Sequence, residues 1–72
     1  MTELGLYLQS KSVNKSEIAR KTGLSKARIS QLCLNDTTRL EAKELYLILL
    51  AIDVKPGEQF EIFYRNQKLK MQ

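Results

Sequence analysis

The feature that most constrains the fold of this chain is the spacing of four small or apolar residues within residues 15–34. Ala19 is small enough for two helices to cross closely, and four residues later Gly23 can take the left-handed conformation of a tight turn. Ile29 and Leu32 follow the glycine by six and nine residues. This spacing predicts two short helices that meet at a sharp turn and share an apolar core.

The helix predicted after the turn, residues 25–34, has an unusual outward face. Its inner side is apolar, because Ile29, Leu32 and Cys33 recur at the spacing i, i+3, i+4. The outward side is small, uncharged and able to form hydrogen bonds, where most soluble helices carry long charged side chains. It consists of Ala27, Ser30 and Gln31, with Lys26 and Arg28 at its margins. A plain solvated surface and a surface that approaches a polar partner closely are both open at this point.

Capping signals predict that the chain is all-α. Thr2 can cap a first helix that ends near Ser10, and Asn14 can cap the helix that ends at Gly23. Ser25 can cap the helix that follows the turn. These signals place three short helices in the first half of the chain.

Two further helices follow in the second half. Asn35 is expected in the left-handed conformation after the third helix, and Thr38 with Glu41 has the spacing of a capping box for a fourth helix over residues 39–52. Pro56 suits the first position of a fifth helix. The segment 59–65 alternates apolar and polar residues, so a strand is the alternative to a helix there.

Composition argues against catalysis and against a membrane span. The 72 residues suffice for one small domain, with no histidine, one cysteine and no glycine-rich phosphate loop. No apolar run approaches the ~18 residues of a membrane span. We therefore expect no enzyme activity, no metal or other cofactor and no small-molecule substrate. The single cysteine and the lack of a basic leader before an apolar block favour a cytoplasmic protein.

Positive charge is concentrated in one part of the chain. Residues 11–39 carry seven cations against two acids, a net charge of +5, whereas residues 40–64 carry a net charge of −3. Clustered positive charge is typical of proteins that bind polyanions, although small proteins commonly carry solvated basic surfaces too. The segment that contains the uncharged helix face is therefore also the segment with the positive field.

The segment KSEIARKTGLSKARISQL, within residues 15–34, resembles the helix-turn-helix motif of the phage Cro/repressor group, the bacterial XRE-type regulators. The resemblance covers roughly residues 2–64, and AIDVKPGEQF is similar to the segment that follows the fourth helix of that family. It implies a compact five-helix Cro/repressor-like domain over residues 1–64. Residues 65–72 would then form a flexible basic tail.

The resemblance also implies roles for single residues. The third helix would enter the DNA major groove and read bases through Lys26, Ala27, Ser30 and Gln31. Phosphate contacts would come from Lys15, Ser16, Arg28, Thr37, Thr38 and Arg39. Lys15 departs from the glutamine usual at its position. Leu8 and Cys33 together replace an arginine–glutamate pair common in the family, so Cys33 is expected in the core.

The implied function is a sequence-specific DNA-binding transcriptional regulator, Cro-like or a compact repressor, associated with the nucleoid of a bacterial or phage-infected cell. Its partner would be a palindromic double-stranded operator, bound as a homodimer. The apolar surplus on the fourth helix, Tyr46, Leu47 and Leu50, is the candidate dimer interface, unless the C-terminal segment folds over it. The alternative is a protein-interaction module, antitoxin-like or a regulatory subunit, that uses this same apolar face. Nonspecific nucleoid or RNA binding is a third possibility.

Overall fold

The computed structural model describes residues 1–69, which contain five α-helices. They are α1 (Glu3–Ser10), α2 (Lys15–Thr22), α3 (Lys26–Leu34), α4 (Ala42–Ala51) and α5 (Pro56–Tyr64). The all-α prediction is confirmed, and the strand alternative for residues 59–65 is wrong because that segment lies in α5 and its C-cap. Along residues 1–69 no helix combines the length and apolar character needed to cross a bilayer. The end of the tail predicted over residues 65–72 lies outside the described residues.

Local hydrogen bonds explain where the first three helices begin. The side chains of Thr2, Asn14 and Ser25 each accept hydrogen bonds from backbone N–H groups in the first turn of α1, α2 and α3. Gly23 ends α2 in the left-handed conformation, with φ of 82°. These caps agree with the sequence prediction, because each depends on residues that are close in sequence.

The start of α4 differs from the prediction. The helix begins at Ala42 and not at Arg39, and its N-cap is Glu41, whose backbone N–H donates to Glu44 Oε1 at 3.1 Å. Thr38 is therefore not a cap, and its own N–H donates to the Asn35 carbonyl at 3.1 Å.

The backbone of Asn35 also contradicts its predicted conformation. It is extended, with φ of −106° and ψ of 111°, and not left-handed. Its side chain accepts hydrogen bonds from the backbone N–H and the hydroxyl of Thr37, at 2.9 and 2.7 Å. This Asx-type turn keeps residues 35–41 in a loop and delays the helix.

The core lies between the helices. α3 packs on both α1 and α2, α2 also packs on α4, and α4 packs on α5. The buried side chains share an apolar character and are Leu4, Leu8, Ile18, Ile29, Leu32, Cys33, Leu45, Ile48 and Leu49. At the edge, Phe63 of α5 meets Tyr7 of α1 edge-to-face, with ring centroids 5.3 Å apart. The inner side of α3 is thus held by α1 and α2.

The C-terminus of α4 is closed by a Schellman motif. The Val54 N–H donates to the Leu49 carbonyl at 3.0 Å, and the Asp53 N–H donates to the Leu50 carbonyl at 3.1 Å. Asp53 stands at the left-handed position, with φ of 61°, where glycine is the usual residue. The turn before α5 therefore contains a local conformational cost.

Candidate nucleic-acid interface

The turn between α2 and α3 is fixed by short-range hydrogen bonds. The Thr22 hydroxyl donates to the Ile18 carbonyl at 2.8 Å and accepts from the Leu24 N–H at 3.2 Å. Ser25 Oγ then accepts from the Arg28 N–H at 3.0 Å. Leu24 is half-buried against the core. The two helices are thereby joined as one helix-turn-helix unit.

The outward face of α3 contains the four residues predicted to read bases. Lys26, Ala27 and Gln31 are exposed and Ser30 is half-buried, whereas Ile29 on the inner side has no exposed surface. Leu34, which was not among the predicted site residues, is also exposed on α3 and is 57% accessible. Its i+3 spacing from Gln31 is the sequence signal that places it near this face.

The C-terminal end of α3 is bonded to the first residues of the chain. The Thr2 hydroxyl lies 2.7 Å from the Leu32 carbonyl and 3.0 Å from the Cys33 carbonyl, and the Thr2 N–H donates to the Cys33 carbonyl at 2.9 Å. Gly5 lies against the same carbonyl, where an added Cβ would overlap the oxygen. Thr2 therefore fixes the end of α3 as well as capping α1. Only the local cap was predictable from neighbouring residues.

The N-terminal half of α3 is joined to α4 by an ion pair. Arg28 Nε lies 2.7 Å from Glu44 Oε2 and Arg28 Nη2 lies 2.8 Å from Glu44 Oε1, which is a bidentate arrangement. Arg28 Nη2 also donates to the Arg39 carbonyl at 2.8 Å. The hydrogen bond to Glu44 raises the pKa of Arg28, and the same bond lowers the pKa of Glu44 despite its burial. Glu44 was not predicted as a site residue, because neither spacing nor composition relates it to α3.

The other predicted phosphate-binding residues lie within the positively charged segment 11–39. Ser16, Thr37 and Arg39 are exposed, and Lys15 and Thr38 are half-buried. Ser16 is near the N-terminus of α2, and its backbone N–H already donates to Asn14 Oδ1 at 2.7 Å. Arg28 differs from this group, because its guanidinium is hydrogen-bonded to Glu44 and to the Arg39 carbonyl.

Cys33 is a buried free thiol within the core cluster. Burial raises the pKa of its thiol, and the positive charge of Lys15 partly opposes that increase. The thiolate, which is the reactive and metal-binding form, is therefore disfavoured at neutral pH. Within residues 1–69 no three metal-ligating side chains come together.

The outer face of α4, defined by Tyr46, Leu47 and Leu50, is partly exposed in residues 1–69. Tyr46 is 49% exposed and Leu50 is 47% exposed, while Leu47 is half-buried. Ile62 and Tyr64 of α5 are themselves exposed.

Two short helices joined by a rigid turn, with a small polar face on the second and clustered cations around it, define a helix-turn-helix DNA-binding domain. The family model of the Cro/C1-type HTH DNA-binding domain matches residues 3–63, and the chain belongs to this family. No curated protein and no solved structure matches the chain significantly. The resemblance drawn from the segment 15–34 is thus confirmed, and DNA is the class of partner that the family supports.

Proposed function

We propose that the protein is a sequence-specific transcriptional regulator, a Cro-like or compact repressor, that reads an operator with α3 in the major groove. The observation that carries this proposal is the outward face of α3, which is uncharged and small at Ala27 and Ser30 and has an exposed amide at Gln31. Such a face can lie close to base edges, where bulky charged side chains would hold the helix away. A helix face that meets only solvent would not need small, uncharged side chains.

Three side chains on this face have base partners of matching chemistry. Gln31 can bond bidentately to adenine through its amide, and Lys26 can donate to the acceptor atoms of guanine. The Ala27 methyl can contact the methyl of thymine. All three are exposed on a helix whose inner side packs on α1 and α2, so the backbone positions from which they project are set before binding.

Affinity would come largely from phosphate contacts on either side of α3. Lys15 and Arg39 supply charge, and the hydroxyls of Ser16 and Thr38 supply neutral donors. Thr37 would have to exchange one of its two bonds to Asn35 Oδ1 to contribute a third. Since bound phosphates release counterions, the affinity should fall steeply as the salt concentration rises.

A dimer would double this small contact surface. One recognition helix reaches only a few base pairs, whereas a two-fold dimer reads a palindrome with half-sites ~34 Å apart. Tyr46, Leu47 and Leu50 on the outer face of α4 are the proposed interface, because apolar side chains this exposed on a small domain often mark a contact.

Selection of a randomised duplex library by the purified protein at ~150 mM salt tests the proposal, since nonspecific binding is weak there. We expect a recovered palindrome with half-sites one helical turn apart. Recovery of no motif by the folded protein would contradict base reading.

A protein-interaction module is the second candidate function. The exposed Tyr46 and Leu50 favour it, because an apolar surface can accept a different protein as well as a second copy of this chain. Gel filtration combined with a DNA titration at low salt separates the two functions. A monomer without affinity for DNA would favour the interaction module, whereas salt-sensitive DNA binding would favour the regulator.

A further inference from the structure

We propose that Arg28 and Glu44 form a positioning pair, which sets the orientation of α3 for base reading, and that Arg28 is not a phosphate contact. This inference rests on the proposed function of α3. The pair joins three elements, because Arg28 lies in α3, Glu44 lies in α4, and the Arg39 carbonyl belongs to the loop between them.

The geometry of the pair restricts movement of α3. Two hydrogen bonds of 2.7 and 2.8 Å, from Nε and Nη2 to the two carboxylate oxygens, fix the guanidinium against the carboxylate. Glu44 is only 9% exposed and is itself held by the Glu41 N–H at 3.1 Å. The carboxylate is therefore anchored at the start of α4, and it holds the first turn of α3 in one orientation.

The same contacts explain why Arg28 is a poor phosphate ligand. Its Nη2 already serves two acceptors, Glu44 Oε1 and the Arg39 carbonyl. Nη1 is the guanidinium nitrogen left for a phosphate, so a bidentate phosphate contact would require the guanidinium to break its bonds to Glu44. The largely buried carboxylate of Glu44 would then lose its partner, which is unfavourable. Beside DNA, an unpaired carboxylate would also repel the phosphates of the DNA backbone.

The positioned groups are those of the proposed interface. Lys26 and Ala27 share the first turn of α3 with Arg28. The bond to the Arg39 carbonyl fixes the loop whose exposed side chains, Thr37 and Arg39, are predicted to meet phosphates. The pair thus fixes the separation between the base-reading and the phosphate-binding groups. Thr2 holds the C-terminal end of α3.

The experiment measures dissociation constants for the selected operator and for a random duplex of equal length, at several salt concentrations. The variants are Arg28→Met, Arg28→Lys, Glu44→Gln and the double variant Arg28→Met with Glu44→Gln, and Arg39→Met is the matched control for a phosphate contact. Far-UV circular dichroism at the binding temperature establishes that each variant is folded.

We expect Arg28→Met to weaken operator binding by about tenfold, which is the effect of one misplaced base contact. The salt slope, meaning the slope of the logarithm of the binding constant against the logarithm of the salt concentration, should be unchanged on the random duplex. Glu44→Gln should cause a similar loss, and the double variant should lose no more than either single variant. Arg28→Lys should lose affinity too, because an ammonium cannot form the bidentate bond. Arg39→Met should instead reduce the salt slope by ~0.9 and weaken both duplexes.

The Glu44→Gln variant makes the test sharp because charge and positioning predict opposite signs. Removing a negative charge should tighten binding to a polyanion if charge alone decides, whereas loss of positioning weakens the operator complex. Tighter binding by Glu44→Gln, or a fall of ~0.9 in the salt slope for Arg28→Met, would overturn the positioning pair and leave the proposed function intact. Equal affinity of the wild-type protein for both duplexes would instead overturn the proposed function, and the pair's role with it.

Discussion

Gln31 is the residue at which base reading and phosphate binding are most easily separated. Its amide is exposed on α3 and uncharged, so it can discriminate bases and adds nothing to the attraction for phosphates. We expect Gln31→Ala to reduce operator affinity by ~1–3 kcal/mol and to leave affinity for random DNA nearly unchanged. Fluorescence anisotropy titrations with both duplexes measure the difference. Gln67→Ala, an exposed glutamine beyond α5, is the control, and equal losses on both duplexes would contradict base reading by Gln31.

Lys15 should behave in the opposite way. It lies at the start of α2 and is half-buried, and its charge acts on Cys33, so its ammonium is close to α3. As a point charge it can meet a phosphate but cannot form the two-sided bond of an amide. We expect Lys15→Ala to weaken operator and random duplex by the same factor and to lower the salt slope by ~0.9. The exposed Lys55, in the acidic half of the chain, gives the control variant Lys55→Ala, and a loss confined to the operator would argue against a phosphate role.

At the scale of the helices, the beginning of an element was predictable where neighbouring residues offer one capping pattern. The caps at Thr2, Asn14 and Ser25 use side chains within three residues of the N–H groups that they accept. The start of α4 was mispredicted although its capping box is also local, because Thr38 with Glu41 and Glu41 with Glu44 have the same spacing. The second pair is the one that forms, while the turn at Asn35 and the bond from Arg28 to the Arg39 carbonyl lie in the loop before it. Spacing alone cannot choose between two such pairs.

The packing of α1 on α3 depends on the absence of a side chain at Gly5. An added Cβ would overlap the Cys33 carbonyl oxygen, which is backbone and cannot rotate away. We expect Gly5→Ala to lower the free energy of unfolding by ~1–3 kcal/mol, as overpacking of a close contact does. Urea denaturation measures it. Gly57→Ala in α5 is the matched control, because nothing lies near its added Cβ and alanine favours a helix. Equal effects of the two variants would show that close packing at Gly5 is unimportant.

The turn after α4 should be improvable at a single position. Asp53 has φ of 61°, a conformation that costs a residue with a Cβ roughly 1–2 kcal/mol. We expect Asp53→Gly to raise the free energy of unfolding by up to about 1 kcal/mol, since glycine relieves this cost but gains entropy in the unfolded chain. Asp53→Ala keeps the Cβ and loses the side-chain carboxylate, so it should not stabilise. Thermal unfolding of the wild-type protein and the two variants measures these differences in stability. Stabilisation by Asp53→Ala would show that the left-handed backbone conformation is not the cause of the gain.

At the scale of the whole molecule, the exposed face of the site was predictable and its support was not. Ala27 and Gln31 are separated from Ile29 by helical periodicity alone, so their outward position follows from the sequence. The support comes from Thr2 and Glu44, which are 31 and 16 residues away from their partners Cys33 and Arg28. Contacts at such distances arise from the packing of helices, and no local pattern encodes them.

The ion pair between α3 and α4 should also make the stability of the fold depend on pH. The hydrogen bond from Arg28 lowers the pKa of Glu44, against the effect of burial, relative to the usual glutamate value of about 4.3. A carboxyl whose pKa is lower in the folded state contributes stability above its unfolded pKa, and that contribution is lost as the pH falls through the folded pKa. The free energy of unfolding should therefore decline below about pH 4.3, as the unfolded chain takes up the proton first.

Urea denaturation between about pH 7 and about pH 3 measures this dependence in the wild-type protein and in Glu44→Gln. The variant should be less stable at neutral pH, and its stability should fall less on acidification because the titrating group is absent. Glu61→Gln, at an exposed position on α5, is the matched control and should retain the wild-type slope. If Glu44→Gln showed the same acid slope as the wild-type protein, Glu44 would not be the group that couples protonation to the joining of α3 and α4. The loss of stability in acid would then have to come from the remaining carboxylates, all of which lie outside this pair.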